Sequence, residues 1–241
     1  MFRHTGVHRT HQHNVRLAAL LCLTAGFVNV AGYLAFTVLT TNVTGHVAIF
    51  AEKLALGDVA TAQIVALWML LFWLGAFVSS LIVNSVEGHR AYVIPIVTEV
   101  AILIVVAIEG QRLHPTASIA ALFAGSLLFA MGMQNALVSM ISGSVVRTTH
   151  LTGMFTDLGI ELALLIKSPN ENNSELYKKI YLRWVIILFF FLGGISGGFL
   201  FKYLRYYTFL IPALILLFAL GYDLFFYRAA RLLLHHKHHS V

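Results

Sequence analysis

The chain has 241 residues, of which 59% are hydrophobic and only 11% are charged. Apolar runs of this extent exceed what the core of one soluble domain can bury, so the composition excludes a soluble globular protein and predicts a polytopic helical membrane protein. The net charge of +6 is then expected in loops on the cytoplasmic side, and not in a nucleic-acid-binding surface.

Both ends of the chain are polar and rich in histidine. Residues 1–15 hold four histidines, and residues 231–241 hold four more. Such clusters favour either weak binding of zinc, nickel or copper, or a flexible basic tail near anionic lipid. The single cysteine, Cys22, excludes an intramolecular disulfide and CxxC-type metal chemistry. We assign no metal site and no cofactor to the region between the tails.

Six long apolar runs lie between the tails and predict membrane spans. They cover approximately residues 16–36, 64–83, 91–108, 117–141, 184–201 and 206–227. No linker divides them, so residues 16–230 are expected to form a single all-α membrane domain.

The chain repeats itself, which predicts two internal repeats at about 16–110 and 117–230. Gly26-Phe-Val-Asn29 resembles Gly132-Met-Gln-Asn135 at a spacing of 106 residues. Thr40-Thr-Asn-Val-Thr-Gly45 resembles Thr148-Thr-His-Leu-Thr-Gly153 at a spacing of 108. Each repeat therefore contains a short helix that begins at a Thr-Gly pair, and matching irregular segments of this kind predict a binding site at the repeat interface.

The Thr-Gly helices leave the number of crossings open. If they cross the membrane, there are eight crossings and the two halves are parallel; if they are re-entrant, there are six and the halves are inverted. With the N-terminus inside, both arrangements put 12 of the 16 Lys and Arg residues on the cytoplasmic side. Both therefore predict cytoplasmic termini.

Two carboxylates in the second Thr-Gly segment are the first candidates for a functional role. Asp157 and Glu161 lie four residues apart and share one helix face. Carboxylates in hydrocarbon are costly, so we expect both to face the first half, where they line a cavity and carry a proton or bind a cation. The structural alternative is that Lys53, which aligns with Glu161 across the repeat, neutralises it.

The remaining candidates are polar groups near the two Thr-Gly helices and one buried acid. Helix N-termini inside the bilayer favour the binding of anionic groups. The alternative is that the threonines serve only as N-caps and the glycines only allow close packing. Asparagines in spans either bind a ligand or join helices, and a mid-span glutamate is either protonated and hydrogen-bonded or lines the pathway. The predicted substrate- or ion-binding residues, none of them assigned as catalytic, are Asp157, Glu161, His150, Thr149, Thr152, Gly153, Thr44, Gly45, Asn29, Asn135, Glu99 and Lys53.

Two overlapping GxxxG patterns in the fifth long run favour close helix packing, either within the chain or in a homodimer. They are formed by Gly193, Gly194, Gly197 and Gly198.

The Thr-Gly pair in each half, Gly132-Met-Gln-Asn135 and the stretch from Arg147 to Glu161 together resemble the YoaK-like family. This is a family of bacterial inner-membrane proteins with a domain of unknown function, and the resemblance covers roughly residues 16–230. The family usually has Thr-Gly-Asn in the first half, where this chain has His46. The resemblance implies a multi-pass location in the bacterial inner membrane and little about chemistry.

Three functions are consistent with these patterns. The leading hypothesis is a small secondary transporter or permease, coupled to protons, that binds an unidentified small molecule or ion between the Thr-Gly segments. The second is an intramembrane enzyme acting on a lipid or isoprenoid, with His150 and Asp157 as acid and base. The third is a non-catalytic membrane scaffold or sensor, which a closed and dry interior would favour.

Overall fold

The described chain is a bundle of eight α-helices. A computed structural model describes residues 10–86, 88–113, 116–167 and 173–238, with side chains described as far as residue 224, and these ranges contain no strand. The helices are α1 (His11–Phe36), α2 (Val43–Ala55), α3 (Val59–Ser85), α4 (Arg90–Leu113), α5 (Ala117–Ser142), α6 (Leu151–Lys167), α7 (Ser174–Leu204) and α8 (Leu210–His238). A short 3₁₀ helix, Arg205–Phe209, joins α7 to α8.

Helix α1 begins five residues before the predicted first span, because a capping box forms ahead of the apolar run. The Thr10 hydroxyl accepts the N–H of His13 at 3.4 Å, and the His13 Nδ1 accepts the N–H of Thr10 at 3.2 Å. The polar segment 11–15 is therefore the start of a helix. Of the eight histidines in the two tails, only His11 and His13 have described side chains, so metal binding by the tails stays a prediction.

Five stretches of the described chain are long and apolar enough to cross a membrane, which confirms the predicted helical membrane bundle. They are His11–Phe36, Val59–Ser85, Arg90–Leu113, Ala117–Ser142 and Ser174–Leu224. The last has 51 residues. As one straight helix it would measure about 75 Å, more than twice the ~30 Å hydrocarbon core. Arg205, with φ at 49°, interrupts it, so this stretch contains α7 and the beginning of α8.

Helices α1 and α7 pack in backbone contact, and α3 and α5 do the same at matching positions. A Cβ on Gly26 would meet the carbonyl of Phe190, and a Cβ on Gly193 would meet that of Leu23. The other pair repeats both contacts: Gly132 lies against the carbonyl of Phe72, and Gly75 against that of Phe129. The matching residues of the two pairs are 106 or 118 positions apart. No larger residue fits at these four glycines without moving a helix.

The contacts along α1 fix its direction relative to its neighbours. Close to its start His11 lies near Tyr181, and at its end Phe36 lies near Tyr206, so α1 and α7 are parallel. Against α5 the order is reversed. Gln134, late in α5, donates to the carbonyl of Leu21 at 2.7 Å, whereas Phe123, early in α5, lies 6.0 Å from Phe36. Helices α1 and α5 are therefore antiparallel.

The end of α4 lies at the same end of the bundle as the end of α1. A Cβ on Gly110, near the end of α4, would meet the ring of Tyr206, which also contacts Phe36. Helices α1, α4 and α7 consequently run in one direction. Helix α5, which begins at this end, runs in the other.

The two Thr-Gly helices are the short ones. Helix α2 has 13 residues and α6 has 17, against at least 24 in the other α-helices. Each packs on the long helix that follows it, α2 on α3 and α6 on α7. They start at Val43 and Leu151, two residues before the predicted Thr-Gly starts. The cap of α2 is Asn42, so the alternative in which Thr44 serves only as the N-cap is wrong.

The GxxxG glycines contact α1 within the chain. A Cβ on Gly193 would meet the carbonyl of Leu23, and a Cβ on Gly197 would meet that of Phe27. A Cβ on Gly194 or Gly198 would lie 3.0 or 3.1 Å from the side chain of Val30. The stripe therefore serves internal packing, and a homodimer contact through its outer edge stays a prediction.

Candidate functional site: a polar cavity between the two short helices

A cavity of about 620 Å³ lies between the starts of α2 and α6. Its wall is formed by Asn29, Leu39, Thr41, Asn42, Val43, Thr44, Phe72, Asn135, Ser139, Arg147, Thr149, His150, Leu151, Thr152 and Phe190. Phe72 and Phe190 lie near the midpoints of α3 and α7, so the cavity is roughly halfway along the long helices. Its volume falls within the range of about 300–1,000 Å³ found for small-molecule sites.

Residues from the two halves line this cavity in matching pairs. Asn29 and Asn135 are 106 positions apart, and Phe72 and Phe190 are 118 apart. The residues before and after the helix starts match at a spacing of 108, for example Thr44 with Thr152. Of the 15 lining residues, only Ser139 has no partner of this kind in the wall.

A hydrogen bond holds the segment that follows α1 in the interior of the bundle. The Oδ1 atom of Asn29 accepts the backbone N–H of Thr41 at 3.1 Å. Asn29 lies seven residues before the end of α1, which corresponds to about 10 Å of helix. Helix α2 therefore starts within the bundle and not at the end of α1.

Both short helices direct their first turns at the cavity. The first residues of α2 and α6, Val43 and Leu151, both belong to the lining. A helix N-terminus carries unpaired N–H groups and about half a positive charge, which favour an anionic or hydrogen-bond-accepting group. Both helix N-termini therefore make the electrostatic potential in the cavity more positive.

Arg147 adds a full positive charge to the lining. Its side chain is exposed and has no ion-pair partner within the described ranges of the chain. None of the 15 lining residues is aspartate or glutamate. The cavity therefore has an excess of positive charge.

Asp157 and Glu161 belong to a different cluster, on the side of α6 that faces α7. Arg183 of α7 lies 3.0 Å from the Asp157 carboxylate and 3.7 Å from that of Glu161. Neither acid lines the cavity, and their partner belongs to the second half of the chain, so the expectation that they face the first half is wrong. A guanidinium can bind two carboxylates at once, which suits this arrangement.

The structural alternative, in which Lys53 neutralises Glu161, is wrong as well. The nearest acid to Lys53 is its neighbour Glu52, at 3.7 Å, and Arg183 takes the place beside Glu161. Matching positions in the sequence do not bring Lys53 to Glu161, because each short helix packs on the long helix of its own half.

Glu99 lies in the interior of α4, where only 1% of it is exposed. Its Oε1 atom accepts no hydrogen bond from the described residues, and Glu99 does not line the cavity. The structure therefore separates Glu99 from the predicted site.

The two Thr-Gly glycines allow a polar side chain to fold over each helix start. A Cβ on Gly45 would lie 2.8 Å from the Asn42 Nδ2 atom, and a Cβ on Gly153 would meet the His150 ring. Neither glycine is part of the lining. His46, the departure from the family pattern, is buried and packs edge-on against Trp68 at 5.9 Å.

Six of the twelve predicted residues form part of the cavity wall. They are Asn29, Thr44, Asn135, Thr149, His150 and Thr152. The wall also contains three residues that the sequence analysis does not predict: Arg147, which lies in the same polar stretch as His150, and Phe72 and Phe190. Both phenylalanines sit in uniformly apolar runs, and only their equivalent positions in the repeat could have identified them.

A family model described as "Protein of unknown function (DUF1275)" matches residues 17–222. This match confirms the resemblance to an uncharacterised YoaK-like family. No curated protein and no solved structure matches the chain.

Proposed function

The chain belongs to the DUF1275 family, whose function is unknown, and we propose that it is a small-solute permease that binds its solute in the cavity between α2 and α6. The observation that carries this proposal is the 620 Å³ polar cavity lined by the first turns of both short helices. Discontinuous helices whose ends meet at a central site are a recurring design of secondary transporters. A scaffold has no need of such a cavity.

We further propose six crossings with the two halves inverted. Antiparallel α1 and α5 support this arrangement, because eight crossings would make these two helices parallel. The common direction of α1 and α4 supports it too, since eight crossings would oppose them. Helices α2 and α6 would then enter the membrane from opposite sides and return, with α1, α3, α4, α5, α7 and α8 as the spans.

The matching glycine contacts and the paired cavity residues favour an origin by duplication. Gly26 and Gly132 make equivalent contacts, as do Gly75 and Gly193. Chance similarity between apolar stretches would not also reproduce the contacts in space. Two inverted repeats rocking about a fixed central site would give alternating access.

The proposed location is the bacterial inner membrane, with both termini in the cytoplasm. In the six-crossing arrangement 12 of the 16 Lys and Arg residues lie on the cytoplasmic side. Arg147 is among them, so α6 would be the helix that enters from the cytoplasm.

Proton coupling through Asp157 or Glu161 stays a prediction. Arg183 forms ion pairs with both acids. Protonation of Asp157 or Glu161 would therefore have to weaken its ion pair with Arg183 in order to affect the cavity. Asp157→Asn and Glu161→Gln preserve the side-chain shape, and we expect folded variants without uptake driven by a pH gradient. Normal gradient-driven uptake in both variants would assign the carrier elsewhere.

An enzyme that uses His150 and Asp157 as an acid–base pair has less support. His150 lines the cavity, but Asp157 lies outside the lining and is bound to Arg183. General acid–base catalysis requires both groups within hydrogen-bond reach of one substrate.

The chain offers a direct test of solute passage, because its only cysteine, Cys22, is buried and can be replaced by alanine. In that background, Thr152→Cys puts a thiol in the cavity wall, and Thr156→Cys puts one a helical turn away on an exposed site outside it. Proteoliposomes are offered a panel of radiolabelled amino acids, carboxylates and sugars. We expect at least one solute to enter faster than into protein-free liposomes.

Modification with a charged thiosulfonate should block that uptake in Thr152→Cys and not in Thr156→Cys. Equal block in both variants would place the solute path elsewhere. Entry of every solute at the protein-free rate would overturn the permease proposal.

A further inference from the structure

The cavity departs from the symmetry of its two halves in a consistent direction. Four of its matched pairs are identical: Asn29 and Asn135, Thr41 and Thr149, Thr44 and Thr152, and Phe72 and Phe190. A fifth pair is aliphatic in both halves. Two pairs differ, and in both the basic side chain comes from the second half. Arg147 matches Leu39 of the first half, and His150 matches Asn42.

The two matched asparagines also differ in the hydrogen bonding of their side chains. The Oδ1 atom of Asn29 already accepts the N–H of Thr41 at 3.1 Å. The Oδ1 atom of Asn135 is buried and has no hydrogen-bond partner in the described part of the chain. An amide free of internal bonds can turn either its oxygen or its NH₂ group toward a ligand.

The first turns of the two short helices also differ in hydrogen bonding, and again the second half keeps the unused group. On α2 the Asn42 Oδ1 atom accepts the N–H of Gly45 at 3.0 Å, which satisfies one first-turn donor. His150 takes the equivalent place before α6, and its side chain makes no hydrogen bond within the described ranges. The first turn of α6 thus keeps a donor that α2 has already used.

Arg147, Asn135 and the first turn of α6 therefore supply donors to the cavity, all from the second half. No carboxylate in the lining opposes Arg147, so the site lacks one negative charge. The rings of Phe72 and Phe190, which also belong to the lining, offer apolar surface for an uncharged body. Guanidinium groups bind planar carboxylates through two parallel hydrogen bonds.

We propose that the cavity selects small organic monocarboxylates, with the carboxylate held by Arg147 and Asn135 at the α6 side and the apolar body beside Phe72 and Phe190. This inference rests on the proposed permease function and names its substrate class. A dicarboxylate would leave one charge unpaired, and a neutral solute would leave Arg147 unpaired.

The binding test compares acids with their neutral analogues of the same shape. Purified protein is titrated with acetate, butyrate and benzoate, and with acetamide, butyramide and benzamide, while the melting temperature is followed at constant ionic strength. We expect at least one acid to raise the melting temperature, and its amide to bind at least about tenfold more weakly, a difference of ~1.4 kcal/mol.

Arg147→Leu installs the residue that the first half has at the matching position, so the backbone should accept it. This variant should lose the preference for the acid, whereas Arg112→Leu, which removes an exposed arginine outside the cavity, should keep it. Arg147→Gln provides a second variant should Arg147→Leu fail to fold.

Equal binding of acid and amide by the wild type would overturn the inference, as would no response to any acid. An acid preference that survives in Arg147→Leu or Arg147→Gln would overturn it too. The uptake assay separates these results from failure of the permease proposal. If amides enter proteoliposomes as fast as acids, the permease stands and the selectivity falls; if nothing enters, the permease proposal falls.

Discussion

The amide of Asn29 and the backbone of Thr41 are joined by a hydrogen bond of 3.1 Å, which holds the segment after α1 inside the bundle. Its counterpart in the second half, the amide of Asn135, has no such partner within the described ranges. Two asparagines at matching positions of the two halves thus differ in hydrogen bonding, and we propose that the second is the one that contacts a ligand.

This difference gives a matched pair of variants. Asn29→Ala leaves the Thr41 N–H without its partner, so we expect the free energy of unfolding to fall by about 1–2 kcal/mol. Asn135→Ala removes an amide that makes no such bond, and we expect a change below about 0.5 kcal/mol together with weaker ligand binding. Thermal unfolding in detergent measures the first effect. Equal destabilisation by both variants would contradict the assignment.

The glycines between the long helices predict a second effect on stability. Gly26→Ala and Gly132→Ala each force a methyl group against a backbone carbonyl of the neighbouring helix, so each should cost about 1–3 kcal/mol. Gly159→Ala is the control, because nothing lies within 4 Å of its added Cβ. Alanine is the better helix former there, and this variant should be neutral or more stable by up to about 1 kcal/mol. Normal folding of Gly26→Ala would argue against backbone contact between α1 and α7.

The cluster around Arg183 predicts that the arginine and the two acids act as a unit. Arg183→Met leaves two carboxylates without their cation and should lower the free energy of unfolding by about 2 kcal/mol. Adding Asp157→Asn and Glu161→Gln removes both charges and should restore most of this loss. Lys178→Met, which breaks an exposed pair with Glu175, serves as the control and should cost less than about 0.5 kcal/mol. A triple variant as unstable as Arg183→Met would show that the charges are not coupled.

The inverted arrangement predicts on which side each turn lies. In the Cys22→Ala background, a cysteine replacing Asp58, between α2 and α3, should react with an impermeant maleimide from the periplasm. A cysteine replacing Gly88, between α3 and α4, should react only from the cytoplasmic side. Eight crossings would give the opposite result at both positions. When fused at Val241, a reporter that works only in the cytoplasm should be active, and one that works only in the periplasm should be inactive.

Composition and local pattern were enough to predict the helical membrane bundle, the two short helices and six of the 15 residues that line the cavity. Long apolar runs leave the chain no soluble alternative. Asn29 and Asn135 could be found because each is a polar residue in an apolar run, and the two motifs recur at nearly equal spacing.

The partners of the charged side chains and the directions of the helices required the tertiary structure. Asp157 is 26 positions from Arg183 in the sequence, and only the packing of α6 on α7 brings them to 3.0 Å. The positive-inside rule counts charges per side, and because the two arrangements exchange equal numbers of them, it could not orient α5 against α1. The Gln134–Leu21 hydrogen bond and the Phe123–Phe36 contact do so together, because two contacts at different heights fix the relative direction of two helices, which no local pattern encodes.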